Sequence, residues 1–135
     1  MKRVLVAVTD LFFAVPVGNA VRAAGATPVT VRHVDEIFAL LAGGNDLLPD
    51  AVVVDLGGRM DPNQVISAAA ANNIPVFAFG SHLDTAAIFA ARGAGAGKVV
   101  ANSALAAALP AWLTRQFANP DPDRMDAPAY PSSEE

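Results

Sequence analysis

The sequence predicts one α/β domain in which helices cover both faces of a five-stranded parallel sheet. Three runs of apolar residues, 3–8, 50–55 and 74–79, do not alternate with polar ones, which is typical of strands buried on both faces. Segments with the apolar spacing of helices separate these runs, so that a strand–helix unit occurs five times in succession. Right-handed crossovers between such units give a doubly wound, three-layer α/β/α domain, and we expect the strand order 2-1-3-4-5.

The composition excludes several classes of function. A chain of 135 residues is long enough for one domain with a substantial core. Its net charge of −4 provides no basic surface for nucleic acid. The absence of cysteine excludes a disulfide framework, a thiolate nucleophile and a cysteine metal site. Charged residues make up 16 %, against about 25 % in a typical soluble domain, which favours self-association.

The two ends of the sequence differ from the middle. The apolar run at the start, Val4 to Val8, is shorter than the core of a signal peptide and far shorter than a membrane span. We therefore expect a cytoplasmic protein with no membrane contact. Residues 118–135 contain four prolines, five acidic residues and one basic residue, which cannot build a core. They predict a disordered acidic tail after a folded domain at 1–117.

The first two strand–helix units follow from local signals. The strand at 3–8 is followed by an apolar segment in which Pro16 and Gly18 would disturb a helix that began at Asp10. We expect a lengthened apolar loop over the site, with the helix beginning near Pro16 and closing at Gly25. The second strand, 27–32, is short and charged at its end, as edge strands are. The helix after it stops at Gly43.

The remaining units follow the central strand at 50–55. Asp61 is the predicted N-cap of the third helix, with Pro62 at its first position. The fourth helix, residues 83–92, has Ser81 as its predicted N-cap and Asp84 in capping-box spacing. A last edge strand at 98–101 precedes the fifth helix, residues 103–117, which we expect to kink or restart at Pro110.

Polar side chains follow the strands at the carboxyl edge of the predicted sheet. Ligand sites in open α/β sheets form at this edge, near the point where the strand order reverses. The chain has an acid, Asp55, at the end of its central strand. The other predicted pocket residues are Thr9, Asp10, Gly80, Ser81, His82 and Asn102. For His82 two interpretations stay open, a side chain reaching the pocket from the first turn of its helix or a solvated one, whereas His33 is expected to meet water.

The segments "PDAVVVDL" (49–56), "IPVFAFGS" (74–81) and "GAGAGKVVANS" (93–103) resemble the third, fourth and fifth strands of response-regulator receiver domains, the CheY-like family. The resemblance covers residues 3–117 and implies a flavodoxin-like or CheY-like fold. It also implies that Asp55 stands at the phosphoacceptor position. In the family, an acidic pair after strand 1 helps to hold a divalent cation, while a Thr or Ser after strand 4 and a Lys after strand 5 contact the phosphoryl oxygens. The cation neutralises the charge between the nucleophile and the phosphoryl group.

The chain departs from this pattern at every position except Asp55. The acidic-pair positions fall on Val8 and Thr9, with Asp10 one residue later. The hydroxyl position falls on Gly80, beside Ser81, and the lysine position falls on Asn102. The resemblance therefore predicts a degenerate pseudo-receiver that is not an enzyme, has no cofactor and signals by protein–protein interaction.

Two alternatives remain. One is a response regulator that accepts phosphate on Asp55 with Mg²⁺, for which Asp10 and Asp55 are the candidate ligands. A weaker one is a module that binds a small anion or nucleotide at the same strand ends. The glycine-rich segment 92–98 is not a phosphate loop, because Arg92 and Val99 stand where a P-loop has Gly and Ser or Thr.

Two helices are poor in charge and predict an interaction surface. Residues 83–92 carry only Asp84 and Arg92 as charges, and residues 103–117 carry only Arg115. Receiver domains commonly dimerise or bind partners there. We expect a homodimer or a protein partner to contact these helices and the last strand.

Overall fold

The computed structural model describes residues 2–44 and 48–118. Of the predicted acidic tail, residues 118–135, only Ala118 lies among the described residues, where it ends the last helix. Strands and helices alternate along the chain: β1 (Arg3–Ala7), α1 (Leu11–Ala23), β2 (Thr27–Thr30), α2 (Val34–Leu41), β3 (Ala51–Asp55), α3 (Pro62–Ala71), β4 (Val76–Gly80), α4 (Thr85–Ala94), β5 (Lys98–Ala101) and α5 (Leu105–Ala118).

All neighbouring strands are parallel, and their order is β2-β1-β3-β4-β5. This confirms the predicted order and the doubly wound α/β class. The three apolar runs form the central strands β1, β3 and β4, and the two weaker runs form the edges. The carboxyl ends of β1 and β3 lie side by side, with Ala7 paired to Val54, and β3 ends on Asp55 opposite Phe79.

The sheet has a core on each face, because successive side chains of a strand point to opposite sides. Val4, Val6 and Val53 pack with residues of α1 and α5. Val52 and Val54 pack with residues of α2, α3 and α4 on the other face. Because the central strands are buried on both faces, their sequences are continuous apolar runs.

Helix α1 does not begin where the sequence predicted. It starts at Leu11 with Asp10 as its N-cap, whose Oδ1 accepts the N–H of Phe12 at 2.9 Å, and it runs through Pro16 to Ala23. The predicted apolar loop was therefore wrong. An interior proline costs about 3 kcal/mol. Fully burying Val17 and Val21 contributes about 1.5–3 kcal/mol each, which offsets that cost.

Helix α4 also begins later than predicted. Its N-cap is Asp84, whose Oδ1 accepts the N–H of Ala87 at 3.1 Å. Ser81 is not an N-cap: its Oγ accepts the N–H of Leu83 at 3.2 Å and closes a turn before the helix. Both Ser81 and Asp84 are suitable N-cap residues; the prediction chose Ser81, whereas Asp84 is the N-cap in the structure. His82 consequently lies in this turn and not in the first turn of a helix.

Helix α5 is continuous through Pro110. A 3₁₀ turn over Asn102–Ala104 precedes it, so the predicted start at residue 103 was wrong. Of the two outcomes predicted for Pro110, a kink or a restart, the restart does not occur. The buried residues Leu109 and Trp112 flank the proline on the helix face that packs on the sheet. Within residues 2–44 and 48–118, no helix is long and apolar enough to cross a membrane.

Candidate functional site

An open pocket of about 890 Å³ lies at the carboxyl edge of the sheet, and the loops after all five strands line it. It sits at the reversal of strand order, where ligand sites of this fold class occur. The structure brings together most of the residues that the sequence singled out. The lining residues include Thr9, Asp10, Asp55, Gly80, Ser81 and Asn102, but not His82.

Asp55 lies at the floor of the pocket. Its side chain is 6 % exposed, and its Oδ1 accepts the N–H of Gly57 at 2.9 Å, which closes the turn after β3. Burial raises the pKa of the Asp55 carboxyl, the Gly57 hydrogen bond lowers it in part, and the negative charge of Asp10 raises it further. Asp55 is thus a buried acid whose charged form is disfavoured.

Two glycines let the turn after β3 fold closely over this acid. A Cβ at Gly58 would lie 3.3 Å from Thr9 Oγ1 and 3.6 Å from Asp55 Oδ2. The next residue, Arg59, donates its backbone N–H to the same Thr9 hydroxyl at 3.3 Å. Thr9 therefore joins the β1 and β3 loops.

Asp10 is the second carboxylate of the pocket. It is exposed, and one of its oxygens caps α1 as described above. Mg²⁺ sites in proteins often use one or two carboxylates with water and phosphate oxygens, and Asp10 and Asp55 are the two carboxylates among the lining residues of the pocket. Among the described residues, no cluster of three or more acidic, histidine or cysteine side chains could hold a metal ion.

The space beside Gly80 is filled. A Cβ added at Gly80 would lie 3.0 Å from Leu56 Cβ and 3.3 Å from Leu56 Cδ1. Leu56 is fixed there because its backbone N–H donates to Phe79 O at 2.8 Å. A side chain at the position that the resemblance assigns to a hydroxyl would therefore require Leu56 to shift by a few tenths of an ångström. The neighbouring Ser81 hydroxyl accepts a backbone hydrogen bond, and Asn102 supplies no charge.

Three cationic or titratable residues in the pocket were missed by the sequence reasoning. Arg32 and His33 follow β2, and Arg59 lies in the loop after β3; all three line the pocket. His33 was assigned to water, and the two arginines were not considered. The sequence could have predicted their place in the pocket. Arg32 and His33 follow β2, which ends at the same edge as β1, and Arg59 directly follows the glycine turn at Asp55.

No family model and no curated protein sequence matches the chain. Solved structures match its fold. The phosphorylated cyanobacterial phytochrome response regulator RcpA has a TM-score of 0.67 at 18 % identity, over 87 % of this chain and 92 % of that one. The receiver domain of NtrX from Brucella abortus has a TM-score of 0.70 at 19 % identity, over 85 % and 98 %. The receiver domain of the sensor histidine kinase PA1611 from Pseudomonas aeruginosa PAO1, with magnesium coordinated in its active-site cleft, has a TM-score of 0.72 at 15 % identity, over 87 % and 98 %.

The topology and the position of the pocket define a doubly wound α/β domain with a site at its switch point. The structural similarity shows that this domain has the fold of response-regulator receiver domains, the CheY-like fold. The fold that the sequence resemblance implied is therefore confirmed.

Proposed function

We propose that the protein is a cytoplasmic signalling module of the two-component type that acts by protein–protein interaction and not by phosphoryl transfer. The observation that carries this proposal is the contact between Gly80 and Leu56. Gly80 has no hydroxyl, and Leu56 lies so close that a larger residue there would have to displace it, which supports the absence of the phosphoryl contact that the resemblance assigns to the end of β4.

The electrostatics of the pocket support the same proposal. Phosphoryl transfer to a carboxylate needs fixed positive charge where the phosphoryl oxygens lie. The residue after β5 is Asn102, which is neutral. Loss of a fixed counter-charge of this type raises a barrier by about 3 kcal/mol. The protein needs no cofactor for the proposed function, and Mg²⁺ would matter only for phosphorylation.

The proposed partner surface lies on α4, β5 and α5. Leu83, in the turn before α4, is 79 % exposed, and Phe89 on α4 is 80 % exposed. Exposed large apolar residues that form a patch are typical of contact surfaces. On α5, by contrast, Trp112 and Leu113 are buried in the core, so α5 contributes its small residues, such as Ala107, to the surface. A homodimer or another protein would cover this surface.

Incubation with acetyl phosphate and Mg²⁺, followed by intact-mass spectrometry, tests the proposal. We expect no mass increase, either in the wild type or in Asp55→Asn. Asp84→Asn is the matched control, because Asp84 is a helix N-cap outside the pocket. A phosphoryl adduct that Asp55→Asn removes and Asp84→Asn retains would contradict the proposal.

The alternative function is a phosphorylatable single-domain response regulator. The pair formed by Asp10 and Asp55 favours it, because the charge of Asp10 acts on Asp55 and two carboxylates can bind Mg²⁺. A magnesium titration followed by NMR tests this alternative. Saturable shifts at the amides of Asp10 and Gly57 at low millimolar Mg²⁺, lost in Asp10→Asn, would favour it over interaction alone.

A further inference from the structure

The pocket carries positive charge that the described part of the chain does not neutralise by ion pairing. Across residues 2–44 and 48–118, the one ion pair joins Lys2 and Asp50, on the opposite edge of the sheet. The charges of Glu36, Arg32 and His33 act on one another, but Glu36 forms no ion pair with either residue; its Oε1 accepts the backbone N–H groups of Arg32 at 2.6 Å and His33 at 3.0 Å. The Arg32 and Arg59 side chains therefore stand at the pocket without an ion-pair partner among these residues.

The two pocket acids do not take that role, because each is bound to backbone. Asp55 is buried and accepts the N–H of Gly57, and Asp10 accepts the N–H of Phe12. Arg32 follows β2, and Arg59 belongs to the loop that follows Asp55 at the end of β3. Because the strand order is β2-β1-β3, the two arginines stand on either side of the β1 loop, and both line the same pocket.

The pocket also has an apolar wall, which helix α1 provides after β1. Leu11 and Phe13, from the first turn of α1, both line the pocket. Leu11 is 66 % exposed, while Phe13 is held in place by Phe79, with ring centroids 5.3 Å apart. A first helical turn normally presents polar or acidic side chains, and α1 has no acid there. A bound molecule that covered Leu11 would account for this exposed apolar surface.

We propose that the pocket binds a small organic anion, with its acidic group at Arg59 and Arg32 and its apolar or aromatic body against Leu11 and Phe13. Small-molecule sites are concave, mostly apolar at the ligand body, and fix one end of the ligand with a few placed polar groups. This pocket has both parts on adjoining walls. The inference goes beyond the proposed protein–protein function and does not depend on whether Asp55 accepts phosphate.

The test uses 8-anilino-1-naphthalenesulfonate (ANS), an aromatic body that carries one sulfonate. Titration of the full chain is followed by ANS fluorescence, in the absence of acetyl phosphate and magnesium. The matched probe is N-phenyl-1-naphthylamine, which has the same body without the charge. We expect ANS to bind at one site and the neutral probe to bind at least about tenfold more weakly, since the sulfonate gains charge-assisted hydrogen bonds.

Four variants locate the site. We expect Arg59→Gln to weaken ANS binding about tenfold, because it removes a charged hydrogen-bond donor. Leu11→Gln should weaken it by a similar factor through lost apolar contact. The controls are Arg92→Gln and Phe89→Gln on α4, which change residues that are also exposed but lie outside the pocket, and they should leave the affinity within about twofold. Circular dichroism shows whether each variant keeps its fold.

A measurement on the wild type keeps the test independent of the variants. In ¹H–¹⁵N NMR spectra, ANS should shift the amides of Gly57, Gly58 and Arg59 more than those of α4. Equal affinity for the two probes would overturn the proposal, as would loss of ANS binding in Phe89→Gln rather than in Leu11→Gln. Absence of ANS binding would also overturn it. None of these outcomes depends on the acetyl phosphate experiment, so the two proposals can fail separately.

Discussion

The contact between Gly80 and Leu56 predicts that Gly80→Ala destabilises the protein. The new methyl group would lie 3.0 Å from Leu56 Cβ and 3.3 Å from Leu56 Cδ1, both closer than ordinary van der Waals contact. Leu56 cannot withdraw easily, because its N–H is bonded to Phe79 O. Overpacking of this kind costs about 1–3 kcal/mol. Replacing a strand glycine by alanine gains about 0.5–1 kcal/mol.

The difference is a net loss of about 1 kcal/mol, equivalent to a fall in Tm of about 4 °C for a domain of this size. Urea unfolding of the full chain measures it, with the fluorescence of Trp112 as the probe. Trp112 is 4 % exposed and packs against Phe77, so unfolding changes its environment strongly. Gly93→Ala is the matched control: a Cβ at this helical position would meet nothing within 4 Å, and alanine should stabilise α4 by about 0.5 kcal/mol.

A double-mutant cycle assigns the loss to Leu56. Leu56→Gly removes the atom nearest to the new methyl group, so Gly80→Ala should become stabilising by about 0.5 kcal/mol in that background. The expected coupling is about 1.5 kcal/mol. A Gly80→Ala variant as stable as the wild type, or zero coupling, would refute the reasoning. The proposal of a pseudo-receiver would then lose the observation that carries it.

Three further predictions concern Asp55, the partner surface and the tail. Burial raises the pKa of Asp55 in the folded state, so the folded protein binds the proton of this carboxyl more tightly than the unfolded protein does. The ionised carboxylate therefore lowers the free energy of unfolding increasingly as pH rises through the raised pKa. Asp55→Asn can still accept the Gly57 hydrogen bond, so it should raise the urea midpoint at pH 7. At a pH below 3.8, the ordinary aspartate pKa, it should not raise the midpoint. Equal midpoints for the variant and the wild type at pH 7 would contradict this. Ile88→Glu and Ala107→Glu should make the protein monomeric in sedimentation equilibrium, and a wild type that is monomeric at high concentration would exclude self-association there. Truncation after Ala118 should change Tm by less than about 2 °C, whereas a larger fall would show that the tail packs on the domain.

The strands were predictable from sequence because their signal is strong and local. A parallel sheet that is covered on both faces requires apolar side chains on both sides of β1, β3 and β4, and those strands carry them. The start of α1 was not predictable in the same way. The local penalty of Pro16 is visible in the sequence, but the compensating burial of Val17 and Val21 depends on contacts with distant strands.

The candidate site, too, was predictable from sequence only in part. Topology alone brings the ends of β1, β3 and β4 together, so Asp55, Asp10 and Gly80 were predictable as neighbours. The position of Arg59 in the pocket depends on the hydrogen bond that its backbone N–H donates to Thr9, which is 50 residues away in sequence. The space beside Gly80 is filled by the side chain of Leu56, and the direction of that side chain cannot be predicted from the local sequence.

The hydrogen bond of Asp55 explains only part of why an acid ends the central strand. An asparagine oxygen could accept the Gly57 N–H equally well, without the cost of burying a charge beside Asp10. The turn therefore accounts for an acceptor at this position but not for a carboxylate. Both Asp55 and Asp10 line the pocket, so a carboxylate at residue 55 adds negative charge to the site, whereas the turn needs only an acceptor. We expect that charge to oppose the approach of a phosphoryl group to Asp55, and intact-mass spectrometry after incubation with acetyl phosphate measures the result.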